Sequence, residues 1–427
     1  MKYFKGTSIL LLALLLIAGN VSNLFAQDFI QVTGRVLDNN TAKPLHYASI
    51  SLLNSTVSNV SNADGVFVLK IPTAKFNALD SIQVSFLGYS TVRICVSDFP
   101  QGKVKTIRMI ESYVSLSSIY IHPNDPLSLF NLVFSPSSIK KNYPNEPCGM
   151  LGFYRELIKR GSKYASMNEA VLDIKKASYT NDFASDNAAI YKGRGNENSN
   201  INDTIIMKLQ GGPLSAMYTD IMKYPFVGTD AQSAQDYYDF SFGNPIVEHN
   251  HKIYVLKFNQ KDSVKKECLY KGELYIDSET FALLKATFSM NVDVISDSWK
   301  YFIRKKPADA TLKVEDATYE VNYKKVGQKY MFDYSRMELK FSAKYKHHWM
   351  KNKYSIVGEL AVTDTDNPAG LKLNPDRKIH MKDILSKRVN DFSDPEFWGS
   401  YNIIQPDENI QSIINKIIRQ LKRHETD

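Results

Sequence analysis

Apolar side chains recur at every second position over much of this chain, which predicts β-strands with one buried face. Ile30, Val32 and Val36 punctuate a first strand, and Ala48, Ile50 and Leu52 share one face of a second. Phe67 and Leu69 alternate with Val66 and Val68, so that stretch reads as a strand buried on both faces. Turn chemistry separates these runs: Asn39-Asn40, Lys43-Pro44, and Asn62-Ala63-Asp64-Gly65 with a glycine where positive φ is needed. Gly34 inside a strand predicts a bulge or a close backbone approach. The same period returns far downstream. Met337, Leu339, Phe341, Ala343 and Tyr345 alternate with Arg336, Glu338, Lys340, Ser342 and Lys344, and Tyr319, Val321 and Tyr323 repeat the device before a turn at Val326-Gly327-Gln328. His251 to Phe258 and Glu273 to Ile276 read as further strands, and Ile276 to Leu283 as strand, turn, strand.

Helical spacing is rarer. Leu127, Phe130, Leu132, Val133 and Phe134 predict one short helix over 126–135, capped by Asp125 and stopped near Pro136. Pro213 to Met222 predicts a second, with Pro213 in its first turn. Ile410, Ile413, Ile414, Ile417, Ile418 and Leu421 predict an amphipathic helix over 408–423. Acidic Asp407 and Glu408 open it, and Arg419, Lys422 and Arg423 close it, matching the helix dipole. Ser115 to Ile121 reads as a short strand broken at His122-Pro123-Asn124-Asp125-Pro126. Two polar stretches, Asn181 to Asp203 and residues 366–380, read as a mobile loop and a linker.

The N-terminus has the form of a secretory signal: Lys2 and Lys5, a short apolar run from Ile9 to Ala18, and Leu24-Phe25-Ala26 before Gln27. That run is too short to span a bilayer, which takes ~20 apolar residues. Cleavage before Gln27 is expected. No Cys stands near the cleavage point to carry a lipid. The formal charge of +8 includes the two signal lysines and falls to +6 without them, a mild excess with no basic, aromatic-interleaved stretch. Nucleic acid is therefore not an expected partner. The 25 Tyr and 22 Phe favour β structure. Three Cys are an odd count for a disulfide scaffold. Cys95 reads as a buried small hydrophobe, and Cys148 and Cys268 can pair only if their Cα atoms come within ~7 Å.

Ile30 to Asp38, Lys43-Pro44-Leu45-His46-Tyr47-Ala48, Asn62 to Phe67 and Phe86-Leu87-Gly88-Tyr89 together resemble the carboxypeptidase-D regulatory-like domain, over roughly residues 29–110. The resemblance implies a small Ig/transthyretin-like β-sandwich on an exported bacterial protein and brings no peptidase. Asn142-Tyr143-Pro144, Gly152 to Glu156, Asn168 to Ile174, Leu209 to Pro213, Tyr275 to Thr280 and Asp394 to Trp398 resemble the C-terminal region of exported proteins that carry this same N-terminal domain. A curved sheet with few helices, and the Tyr-Ile-Asp turn, are also similar to periplasmic lipoprotein carriers, whose unclosed barrel holds acyl chains. The fold class expected is thus mainly β with some α. The expected order is a signal peptide at 1–26, a sandwich at 27–112, a linker strand and short helix at 113–145, a large curved antiparallel sheet in an α+β domain at 146–365, and a linker with an amphipathic helix at 366–427.

Chemistry is sparse. Gly-x-Ser-x-Gly, His-Glu-x-x-His and phosphate-cradling loops are missing from the sequence. His249 and His251 share one side of a strand pattern without an evident third ligand, and His347-His348 point to opposite faces. Tyr154-Arg155-Glu156 with Glu169 can form a polar cluster, more simply a strand-surface ion pair than an acid–base site. No catalytic, cofactor-binding or metal-binding residue is assigned, and no cofactor is expected. The sequence points to a non-enzymatic exported binding or adaptor protein of the periplasm or outer membrane. The alternatives are a carrier of a lipophilic ligand in a half-barrel pocket and, third, a hydrolase. Expected partners are an envelope protein or a lipophilic ligand, with no transmembrane span and a possible peripheral membrane contact through the C-terminal helix. The apolar inner face (Tyr319, Val321, Tyr323, Met337, Leu339, Phe341) has only about three helices to cover it.

Overall fold

The computed structural model describes residues 29–77, 79–112, 125–197, 212–248, 251–303, 306–346, 350–389 and 397–424. The signal segment, the Ser115 to Ile121 stretch, His249, His347 and His348 lie outside the described residues.

Seven strands build the sandwich: β1 (Phe29–Asp38), β2 (Ser49–Leu52), β3 (Ser58–Val60), β4 (Val66–Pro72), β5 (Ser81–Ser85), β6 (Val92–Cys95) and β7 (Lys105–Met109). They form two sheets, β4-β1-β7 and β3-β2-β5-β6. Val36, Ile50, Phe67, Leu69, Ile82, Val84 and Met109 fill the space between them. Gly65 has φ +74°, and a Cβ there would lie 2.4 Å from the Val36 carbonyl oxygen. Gly34 is a close approach and not a bulge: its register with β4 is unbroken, and the Phe67 ring covers it. Two readings are corrected. Val66 and Val68 are only half-buried, because β4 lies in a two-layer sandwich with its other face outward. Cys95 is exposed, since it ends the edge strand β6 on its outer face.

The remaining chain builds one large sheet. In chain order the elements are α1 (Pro126–Phe134), α2 (Pro136–Asn142), β8 (Cys148–Arg160), β9 (Lys163–Lys176), β10 (Asn187–Glu197), α3 (Pro213–Met217), α4 (Ala231–Tyr237), β11 (Tyr238–Phe242), β12 (Ile246–Glu248), β13 (His251–Gln260), β14 (Tyr270–Asp277), β15 (Leu283–Met290), β16 (Ala310–Val326), β17 (Lys329–Tyr345), β18 (Asn352–Asp364), α5 (Pro368–Leu371) and α6 (Glu408–His424). The order across the 11-stranded sheet is β10-β9-β8-β18-β17-β16-β15-β14-β13-β11, with β12 also on β13. Every pairing is antiparallel, β18 returns between β8 and β17, and the sheet stays open.

Strand alternation gives this sheet two apolar faces, and each is covered. One carries Tyr154, Leu172, Leu256, Leu274, Val321 and Leu360 and packs under α1, α2, α3, α4 and the turns after α3. Its far end, Leu339, Phe341 and Ile356, is closed by Val292, Phe302 and Ile303. The other face carries Phe153, Leu157, Met167, Val171, Tyr334 and Ala361 and packs under the sandwich, residues 397–404 and α6.

Several helices and one strand differ from the sequence expectation. Pro136 ends α1 and opens α2, because Ser135 caps it by accepting from the Ser138 N–H at 3.2 Å. The helix at Pro213 stops at Met217 and gives way to turns through Met222. The polar, Gly-rich stretch expected as mobile contains β10, whose glycines are imposed by packing. A Cβ on Gly193 or Gly195 would meet the Val389 side chain at 2.5 or 2.7 Å. Residues 366–380 pack on the sheet, with α5 against β8 and β9 and the Asn367 amide donating to Asp173 at 2.8 Å.

Gly65→Val is expected to lower stability by about 1–3 kcal/mol or more, combining left-handed strain with a backbone collision. Gly102→Val, at φ +66° with nothing within 4 Å, carries the strain alone and is the milder variant. Thermal melts of the two full-length variants check this; equal melting temperatures would refute the packing account.

Candidate functional site

The polar cluster read from Tyr154, Arg155, Glu156 and Glu169 divides between the two faces of the sheet. Tyr154 points to the helix side, where its hydroxyl donates to Glu156 at 3.3 Å. Arg155 and Glu169 point to the sandwich side and pair at 2.7 Å, and Arg194 of β10 reaches the second carboxylate oxygen at 2.9 Å. Glu359 of β18 continues the row, 4.0 Å from Arg155 and bonded to Arg336. Arg155 is 2% exposed and Glu169 0%, so this is a buried network and not the strand-surface pair expected. The burial comes from residues 397–404, which sequence reading treated as linker. Arg155 donates to the Ile404 carbonyl at 2.8 Å, and the Trp398 ring lies 5.1 Å from the Arg194 guanidinium.

The same segment is bonded to the sandwich. Asn59 donates to the Ile403 carbonyl at 2.9 Å, and Asn402 exchanges bonds of 2.8 and 2.9 Å with the Lys70 backbone, completing the edge of β4. The Glu408 N–H donates to Asp64 at 2.9 Å, and α6 then lays Ile410, Ile413, Ile414 and Ile417 on Leu157, Tyr164 and Met167. The apolar stripe of α6 is therefore spent on its own sheet.

A second buried charge cluster anchors the helix side. Lys176 of β9 reaches Asp186 at 2.5 Å and Asp220 at 2.6 Å. Asp220 also accepts from the Tyr179 and Tyr323 hydroxyls, both at 2.7 Å. These bonds pin the turns after α3, with Ile221 and Met222, into the apolar face. Burial would lower the Lys176 pKa, but the two carboxylates outweigh it and raise it. Burial would likewise raise the Glu169 pKa, and Arg155 and Arg194 outweigh it and lower it.

Open space lies between the sandwich and the sheet, with further hollows of about 590 and 380 Å³ around β11, β13, β14 and β15. One end of the sandwich is fixed on β18, where Ser58 donates to the Val362 carbonyl at 3.0 Å and Lys75 pairs with Asp364 at 2.8 Å. Its other end comes near β12, where a Cβ on Gly88 would lie 3.6 Å from the Ile246 side chain. A hollow of about 1010 Å³ and one of about 620 Å³ remain beneath it. Tyr47, Phe86 and Lys285 line both, so they form two lobes of one cleft. Tyr47 holds the central wall in a left-handed conformation, φ 63°, a strain for a bulky side chain. Its ring stacks on Tyr334 at 5.0 Å with the Arg336 guanidinium 5.4 Å away. Burial and the Glu359 carboxylate push its phenol above the usual range.

The remaining expected residues fall apart in space. Cys148 borders the helix-side core and Cys268 sits in the cluster at the far end of the sheet, and both are free thiols. Burial pushes the Cys148 thiol up to about 11. Among the described residues no three His, Cys, Asp or Glu side chains gather as a metal site would need. The cleft went unseen in the sequence because its two walls, residues 46–93 and 253–338, lie far apart in the chain.

Glu169→Gln should cost about 3–5 kcal/mol, because it leaves two arginines buried with a halved partner. The native Glu169 carboxyl titrates below its ordinary 4.5, so its stabilisation is complete above 4.5 and is lost as the pH falls beneath that value. Lys176 titrates above 10.5, so its contribution is complete below 10.5 and lost at higher pH. Denaturant midpoints measured at acid pH should fall steeply in the wild type and more shallowly in the variant; parallel curves would contradict the assignment.

Residues 32–121 match the CarboxypepD_reg-like domain family. No curated protein matches the chain. Among solved structures, one similar chain is an outer membrane lipoprotein-sorting protein domain from Vibrio parahaemolyticus, with 13% identity, TM-score 0.24, and 57% of this chain and 94% of that one covered. A DUF1329 family protein from Desulfovibrio piger gives 11%, 0.22, 58% and 97%, and a LolA superfamily protein from Nitrosomonas europaea gives 10%, 0.24, 59% and 99%. TM-scores this low carry no argument about what the chain binds. The β-sandwich of the CarboxypepD_reg-like domain therefore stands at the N-terminal end of a mainly β chain whose second part is an open antiparallel sheet.

Proposed function

We propose that this chain is a non-catalytic binding or adaptor protein of the cell envelope, and that it binds in the cleft between its sandwich and its sheet. The single observation that carries this reading is the distribution of filled and open space. The helix side of the sheet, where a half-barrel carrier would hold an acyl chain, is occupied by α1, α2, α4 and the pinned turns of residues 218–228. The hollow of about 1010 Å³ lies on the opposite side, between the sandwich and the sheet, and its walls mix hydroxyl, amide and charged groups with apolar surface. Clefts between domains are a common place for ligand sites. The buried charges found elsewhere act within the fold: Lys176 holds the turns after α3, and Glu169, through Arg155, holds residues 397–404 as a strap across the sheet. The N-terminal segment with its Lys2, Lys5 and apolar run supports export, and among the described residues no helix is long and apolar enough to cross a membrane.

Carriage of a lipophilic ligand is the second reading. It is favoured by the apolar character of the helix side, and it requires residues 212–228 to move out.

A photoreactive residue placed at Thr287 or Gln83, in the cleft, should capture a component of the envelope in the native cell, while the same residue at Ser137 on α2 should not. Capture at all three sites, or at none, would defeat the cleft as a binding site. Native mass spectrometry of the envelope-purified protein tests the second reading: a lipid adduct is its expected outcome, and a bare protein mass would remove it.

A further inference from the structure

We infer that the cleft takes a neutral, extended, hydroxyl-rich ligand, an oligosaccharide chain. This rests on the cleft being the binding site. Charge comes first. The ionic groups at its centre are already paired within its own walls: Lys285 with Glu320 at 2.7 Å, Lys324 with Asp333 at 2.8 Å, and Arg336 with Glu338 at 3.4 Å as well as with Glu359. Lys271, Lys325 and Arg93 line the cleft outside these pairs, but at its centre an anionic or cationic ligand would have to break the pairs to be recognised. A neutral ligand can use them as they stand, since each pair offers a donor and an acceptor side by side.

The walls between the pairs are rich in hydroxyls. Ser49, Ser51 and Ser85 project from the sandwich, and Thr287, Ser289 and Thr318 from the sheet. A hydroxyl donates or accepts as needed and so suits a partner whose own groups are hydroxyls. Asn322 adds a specific demand. Its amide nitrogen donates to Glu320 at 3.2 Å, but its Oδ1 is buried in the wall of the larger lobe and has no partner. A buried acceptor left open costs about 1–3 kcal/mol, and a turn of the Asn322 side chain toward the lobe would let a ligand donor recover it. Phe86, shared by both lobes, supplies an apolar ring against which the carbon face of a sugar can lie.

Shape separates a chain from a single small molecule. The smaller lobe runs across β14, β15, β16 and β17, three strand spacings or about 14 Å, before it joins the larger one. That length suits several sugar units. An extended peptide fits less well. Peptide recognition by sheets uses a free strand edge, and here the cleft crosses the middle of the sheet, where β15 to β17 have their backbone groups in the ladder. A lipid chain fits worst, because it would bury the ion pairs without replacing their hydration.

The adduct captured at Thr287 or Gln83 in native cells decides the class. An oligosaccharide gives an adduct that periodate destroys and protease leaves intact. An adduct removed by protease, or one extracted with lipid, overturns the inference and leaves the cleft as a binding site. No capture at the cleft positions defeats both. Asn322→Leu should reduce the capture at Thr287 at least tenfold while leaving the melting temperature within a few degrees of wild type. Undiminished capture by a folded Asn322→Leu protein would overturn the role given to that amide.

Discussion

A carboxylate with two arginines on it, closed off by a main-chain carbonyl, holds the two halves of this molecule in one arrangement. Glu169 receives Arg155 from the next strand and Arg194 from the edge strand, and Arg155 spends a further N–H on Ile404. A buried ion pair adds little net stability against an apolar replacement, but removing one partner is costly. Its value here is positional. The C-terminal strap can seat only where its carbonyl meets the guanidinium, and once seated it presents Asn402 and Ile403 to the sandwich.

That constraint explains why the sheet is covered on both sides. An open sheet with apolar residues on one face needs one layer of cover, and this one needs two. The helix side is closed by short helices and by turns anchored on Asp220. The other side is closed in part by the strap and α6 and in part by the sandwich, which stands on β18 and comes near β12. The cleft is the space left between the sandwich and the sheet where they are not in contact. Tyr47 marks the junction: a strained backbone is kept because Tyr334 and Arg336 hold its ring.

Much of the fold was legible in the chain. Period two over 319–323 and 336–345 and the turn at Gly327 correspond to β16 and β17, and the isoleucine spacing corresponds to α6. The strand at 187–197 was not legible, because its inward positions are small and its glycines answer to Val389, nearly two hundred residues away. Of the two helices at 126–142 only the first was read, since Pro136 both stops and starts a helix and only the Ser135 cap distinguishes the two outcomes. Of the buried network, Arg155 and Glu169 were found but their partners Arg194, Glu359 and Ile404 were not, and the cleft itself was not legible.

What the sequence by itself determined is local: strand alternation, turn glycines such as Gly65, the helical stripe at the C-terminus, and the presence of a regulatory-like sandwich. These follow from side-chain period and backbone sterics, which act over a few residues. The tertiary structure alone decided which face each layer covers, that the polar cluster is buried, that the helix side is filled and that the cleft lies on the other. Those outcomes depend on contacts between residues such as Asn59 and Ile403, 344 positions apart, and no local pattern encodes a contact at that range.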